Sequence, residues 1–154
     1  MKKYEPVLTV VLPSLLLMSC NKHTNADTNA TGIKQIEMTD MAFSDLSKQK
    51  GMKSAFLYFM DSDAVFLRPN RFPLKGADAR SYLENINDSV FTLTWQPLSV
   101  EMSTSADLGD TYGLYTFSGK DTTYEGTYLT IWKRQKDGSW KYVLDTGNPG
   151  IGKK

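Results

Sequence analysis

The stretch from Leu108 to Val143 limits the fold more than any other part of the chain. It reads as consecutive strands of one antiparallel sheet, Thr111 to Ser118, Tyr124 to Arg134 and Ser139 to Leu144. The separators, Gly119-Lys120-Asp121-Thr122 and Gln135-Lys136-Asp137-Gly138, carry turn chemistry. Gly tolerates positive φ and Asp hydrogen-bonds its own backbone, so the flanking segments are expected to pair as hairpins. Those flanks are rich in Tyr, Thr, Trp, Leu, Ile and Val, which suit a pleated, half-buried surface better than a helix.

Upstream, the pattern changes to helical spacing. Ile33, Ile36, Met41, Phe43 and Leu46 recur as one apolar side, with Thr39-Asp40 as an internal cap and Gly51 as the terminator. Met52 to Phe59 predicts a second helix with Ala55, Phe56 and Phe59 in its buried stripe, stopping at Asp61-Ser62-Asp63. Ala64 to Leu67 predicts a short strand that ends at Arg68-Pro69, because Pro has no N–H to donate. Asp78 opens a third helix through about Ile86. Phe91 to Pro97 alternates as a strand and Leu98 to Ser103 as another, while Trp140-Lys141-Tyr142-Val143 has the pattern of an edge strand. The fold class expected is α+β, an antiparallel sheet, strongly bent, with about three helices over one face. Gly126, Tyr128, Thr130 and Trp132 then share the covered face, and Leu129 and Ile131 the other. Either a sheet-to-sheet homodimer or local packing against the terminus would cover the second face.

Residues 1–19 combine a basic head, Lys2 and Lys3, with the largely apolar run Val7 to Met18, and are expected to be a signal peptide. Leu17-Met18-Ser19-Cys20 resembles a bacterial lipobox, which implies lipidation of Cys20 and a cell-envelope location, anchored to a bacterial membrane outside the cytoplasm. Residues 20–32 then form a tether and 33–150 the domain. Cleavage would take 18 basic and 17 acidic residues to 16 and 16 by removing Lys2, Lys3 and Glu5. That balance argues against nucleic acid as a partner. The only Cys is Cys20 and the only His is His23, both before the domain. Cys-His and Ser-His dyads, zinc clusters and structural disulfides are thereby set aside, and no metal or cofactor is expected.

Several pieces, in this order and spacing, resemble the nuclear transport factor 2-like superfamily, a cone-shaped α+β fold that includes ketosteroid isomerase, scytalone dehydratase and SnoaL-like cyclases. They are Ala55 to Val65, Lys75 to Ala79, Leu93-Thr94-Trp95-Gln96-Pro97, Gly109 to Gly113, Thr130-Ile131-Trp132-Lys133-Arg134 and Asp137 to Lys141. Within the superfamily the resemblance is to the domain-of-unknown-function family 4440. The isomerase's base, an Asp before the Pro that ends the first strand, matches Arg68; its protonated Asp matches Thr130 and its Tyr falls near Ser44. With neither acid present the resemblance does not carry steroid isomerisation over to this chain.

The residues themselves nominate two kinds of site. Asp61 and Asp63 flank Ser62 where the second helix meets a strand; convergent carboxylates there would raise one pKa and supply a base, with Tyr128 as donor, and local backbone bonding is the plainer alternative. Phe56, Phe59, Trp95, Tyr128, Thr130 and Trp132 are expected to line the space between helices and sheet, which is either a cavity for a small apolar or amphipathic ligand or a filled core. Arg68 is expected either to pair with Asp63 or to meet a ligand at the rim. Small-ligand binding is the first functional expectation. A SnoaL-like isomerase, cyclase or dehydratase is a second and a non-catalytic interaction module a third.

Overall fold

The computed structural model describes Met1 and residues 25–151. Its elements are helix α1 (Asn25–Lys50), helix α2 (Met52–Phe59), strand β1 (Met60–Leu67), strand β2 (Leu74–Lys75), helix α3 (Ala77–Glu84), and strands β3 (Phe91–Met102), β4 (Leu108–Gly119), β5 (Thr123–Arg134) and β6 (Trp140–Pro149). Helix α1 therefore begins at Asn25 and runs unbroken past Thr39-Asp40, into part of the stretch expected as tether. Cys20 and the expected signal peptide, apart from Met1, lie outside the described residues.

The strands form one sheet in the order β2-β1-β6-β5-β4-β3. It corrects the expected architecture in two respects. The sheet is mixed, because β1 lies parallel to β6 while every other neighbour pair is antiparallel. It is also open, with β2 and β3 as free edges, and is not the strongly bent cone expected. Strong curvature needs repeated bulges that add residues to one side of the pairing. Here β4 and β5 pair without interruption from Leu108↔Lys133 to Ser118↔Thr123, and β3–β4 and β5–β6 each contain one register shift.

One of those shifts explains why Pro97 does not divide the strand. It sits on the outermost strand at the irregularity between Pro97 and Ser99, where a missing N–H costs least, so Phe91 to Met102 is continuous. The edge pattern read at Trp140-Lys141-Tyr142-Val143 is also corrected: β6 is an interior strand between β1 and β5. Its Trp140 and Tyr142 are both buried. Only the long-range parallel pairing with β1 makes it interior, and a parallel pairing leaves no hairpin signal in the sequence.

Phe43 of α1 is the centre of the core. Its ring lies 4.6 Å from Phe56, 5.0 Å from Phe59, 4.6 Å from Trp95, 5.9 Å from Trp132 and 5.8 Å from Tyr142, centroid to centroid. The distances are those of edge and tilted aromatic packing, apart from the stacked Phe43–Tyr142 pair. Gly51, at φ 87°, makes the break that folds α2 back beside α1, a backbone angle a side chain would strain. The buried stripe of α1 is Ile36, Asp40, Phe43, Ser44 and Ser47, so polar groups share it. Ile33 and Met41, expected on that stripe, are exposed.

Candidate functional site

Helices α2 and α3 do not seal against the far halves of β3 to β6, and a pocket of about 360 Å³ remains between them. Met52, Phe56, Tyr82 and Ile86 form its helical wall, and Leu93 and Trp95 part of its sheet wall. At the β-hairpin end three rings stack in sequence. Phe91 and Phe117 are 4.9 Å apart at 26°, and Phe117 and Tyr124 are 4.9 Å apart at 21°. The volume is within the range of small-molecule sites and the walls are mostly apolar.

The polar groups of the pocket are concentrated at Arg68, just after β1, and Asp145 on β6. Arg68 Nη2 donates to Asp145 Oδ1 at 2.6 Å, and Nη1 donates to the carbonyls of Leu67 at 2.7 Å and Asp145 at 3.3 Å. The guanidinium lies 3.4 Å from the centre of the Phe66 ring, a stacked cation–π contact. Thr130 donates its hydroxyl to the other carboxylate oxygen, Asp145 Oδ2, at 2.8 Å. Burial pushes the Asp145 carboxyl up from its ordinary pKa; the Arg68 charge and the two hydrogen bonds pull it down without cancelling that effect.

A second buried carboxylate stands behind the sheet wall. Tyr128 lines the pocket with its ring and donates its hydroxyl to Asp40 Oδ2 at 2.6 Å. Thr111 donates to Asp40 Oδ1 at 3.2 Å, and Trp132 Nε1 donates in turn to Thr111 at 3.0 Å. Burial pushes the Asp40 carboxyl up to about 6, against the hydrogen bonds from Tyr128 and Thr111 that favour its charge. The Tyr128 phenol is pushed above its usual value, first by burial and then by the nearby Asp40 charge.

Of the expected ligand-binding residues, the structure brings Phe56, Arg68, Trp95 and Tyr128 together around the pocket. Phe59 and Trp132 lie in the packed core, and Thr130 bonds the floor carboxylate from below. Asp61 and Asp63 are not among the pocket's lining residues. Asp61 accepts from the Asp63 backbone N–H and from Gln135 Nε2, both at 3.0 Å, and the first of these bonds does most to hold its carboxyl below the usual range. That shift is opposite to the one expected from two converging carboxylates. Arg68, for its part, pairs with Asp145 and not with Asp63.

Sequence reasoning missed both buried acids. Asp40 had a legible signal: it stands four residues after Ile36 and three before Phe43, on the same helix face as both. Asp145 had none, because a register shift between Ile131 and Trp132 sets its direction. Ile131 pairs with Leu144 but Trp132 pairs with Tyr142, so Val143 is the extra residue on β6. Past the bulge the alternation reverses, and Asp145, opposite Thr130, faces inward.

No protein-family model matches the chain, and no curated protein does. Solved structures do match in shape. A ketosteroid isomerase-like protein from Erwinia carotovora is 16% identical with a TM-score of 0.64, over 78% of this chain and 97% of that one. An NTF2-like superfamily protein from Salmonella enterica is 10% identical with a TM-score of 0.63, over 81% and 95%. The hexachlorocyclohexane dehydrochlorinase LinA-type3 from Novosphingobium barchaimii is 17% identical with a TM-score of 0.58, over 82% and 90%. The chain has the fold of these NTF2-like structures, and within it Asp40 and Asp145 are buried.

Proposed function

We propose that the chain acts on a small, mostly apolar organic molecule held in the pocket, and that Asp145 transfers a proton to or from it. The observation that carries this reading is the buried Asp145 carboxylate, raised in pKa and paired with Arg68 at the polar end of an otherwise mostly apolar pocket. A carboxylate kept from water is a stronger base than one in solvent, and a neighbouring cation stabilises negative charge that develops on the substrate. For a ketone, the proton leaves the carbon beside the carbonyl for an Asp145 oxygen, and the electron pair moves onto the carbonyl oxygen facing Arg68. Where the ketone carries a β,γ double bond, return of that proton to the γ-carbon gives the conjugated isomer. Its delivery to a β-hydroxyl, which leaves as water, gives an unsaturated ketone. Such chemistry is of the type carried out by SnoaL-like isomerases, cyclases and dehydratases.

A specific observation favours binding without turnover as the second reading: both Asp145 oxygens already accept a hydrogen bond, one from Arg68 and one from Thr130. Exchange of solvent deuterium into the α-carbon of small cyclic ketones, followed by proton NMR, separates the two. Exchange by the wild type that is lost in Asp145→Asn supports catalysis. Wild-type exchange no faster than that of the ketones in buffer alone ends the catalytic reading and leaves the binding one. Loss in Asp61→Asn, with Asp145→Asn unaffected, would return the base to the helix–strand junction with Asp61, Asp63 and Tyr128.

Residues 1–19 serve as signal peptide and Cys20 carries the lipid that holds the domain, close to the family 4440 type, at the cell envelope. A shift of the full chain from membrane to soluble fractions in Cys20→Ala supports this, and an unchanged distribution overturns it. The outer sheet face, where Leu129 and Ile131 are half-buried, serves a homodimer; Leu108 and Tyr112, 40% and 50% exposed, lie on neighbouring β4.

A further inference from the structure

We infer that the pocket selects uncharged ligands bearing an oxygen acceptor and rejects carboxylates of the same shape. The inference rests on the reading of this pocket as the ligand site and goes on to its charge preference.

An arginine has five N–H donors. Three of those on Arg68 have protein partners among the described residues: two on Nη1, to the Leu67 and Asp145 carbonyls, and one on Nη2, to Asp145 Oδ1. The remaining Nη2 donor and the Nε donor are left for a ligand oxygen. Arg68 is also the more accessible member of the pair, its side chain 19% exposed against 7% for Asp145. A ligand entering the pocket therefore meets donors before it meets an acceptor.

The charge of that arginine is already matched. Asp145 neutralises it at 2.6 Å, so the floor of the pocket carries no net charge from this pair. Asp40 behind Tyr128 adds a negative charge when ionised, and the Asp145 charge acts on it through space. Among the described residues no other charged side chain lines the pocket. A ligand carboxylate would lose its water without gaining an unpaired cation, and would lie near Asp145, where like charges repel. An ammonium group would face the exposed side of the guanidinium. A carbonyl or hydroxyl oxygen accepts from the spare donors with neither penalty, and the near-parallel Phe91, Phe117 and Tyr124 rings favour a flat apolar body.

The test uses the purified full chain and three probes of one shape: 2-naphthol, 2-naphthoate and 2-naphthylmethylammonium, titrated by calorimetry at pH 7.5. The wild type is expected to bind 2-naphthol at least about tenfold more tightly than either ion. Asp145→Asn leaves Arg68 unmatched and is expected to move the preference toward 2-naphthoate by a similar factor, with near-ultraviolet circular dichroism reporting that it is folded. Wild-type binding of 2-naphthoate as tight as that of 2-naphthol overturns the inference and leaves the pocket as a ligand site. Failure of the wild type to bind any of the three overturns the ligand-site reading itself. The wild-type ranking decides even where the variant does not fold.

Discussion

The Tyr128 hydroxyl and the Asp40 carboxylate, 88 residues apart in sequence, meet at 2.6 Å between the sheet and helix α1. The bond ties a pocket-lining side chain to a fully buried acid whose carboxyl is pushed up to about 6 from a starting value of 3.8. The folded state thus binds the Asp40 proton more tightly than the unfolded state does. Its contribution to stability is complete below about pH 3.8 and is lost as pH rises to about 6. Asp40→Asn keeps the shape and has no charge to bury. It is expected to raise stability above pH 6 by up to about 3 kcal/mol and to change it little at pH 3.5, measured by urea denaturation at both pH values.

Tyr128→Phe removes the partner and keeps the ring. Loss of a hydrogen bond to a buried charged group is expected to cost roughly 1.5–3 kcal/mol near neutral pH. The Asp40 titration, followed by carbon NMR of the carboxyl, is expected to move above 6, since the Tyr128 bond is one of the effects that lower it.

Arg68→Met leaves Asp145 buried without its cation. A loss of roughly 3–5 kcal/mol is expected at pH 8. The loss is expected to be smaller at pH 4, because the Asp145 carboxyl, already raised by burial, takes up its proton more readily once the guanidinium is gone. Equal losses at the two pH values would show that the ion pair is not the source of the effect.

Gly113 on β4 has no room for a side chain. A Cβ there would lie 2.9 Å from Pro97 Cα and 2.9 Å from Tyr128 Cε1, with the Gln96 carbonyl oxygen nearer still. Two of those neighbours are backbone of the adjoining strand, so Gly113→Ala can be accommodated only by separating β3 from β4. A lowered thermal midpoint is expected, together with altered near-ultraviolet signals from Trp95, which pairs two residues along at Tyr115.

Ile131 on β5 is half-buried on the face away from the helices, beside Leu129 and Leu108 in a shallow hollow. If that face serves a homodimer, Ile131→Lys is expected to give a monomer by light scattering with unchanged far-ultraviolet circular dichroism. A wild-type chain that is already monomeric removes the assembly from the proposal.

Much of this architecture was determined by sequence, because its signals are local. The turns around Gly119 and Gly138 are flanked by alternating β-formers, and β4, β5 and β6 follow as antiparallel neighbours. The inward row Gly126, Tyr128, Thr130 and Trp132 follows from a period of two, and all four are buried. Tertiary structure alone decided the parallel pairing of β1 with β6, since contact between segments so far apart leaves no periodicity to read. It also decided the openness of the sheet, which depends on how few bulges interrupt the ladders. The polar end of the pocket depended on both. Asp145 reaches Arg68 because one extra residue at Val143 reverses which side of β6 faces the core, and because the parallel pairing sets Asp145 beside Phe66, two residues before Arg68. A bulge acts through register with a partner strand, so only the assembled sheet could turn that carboxylate inward.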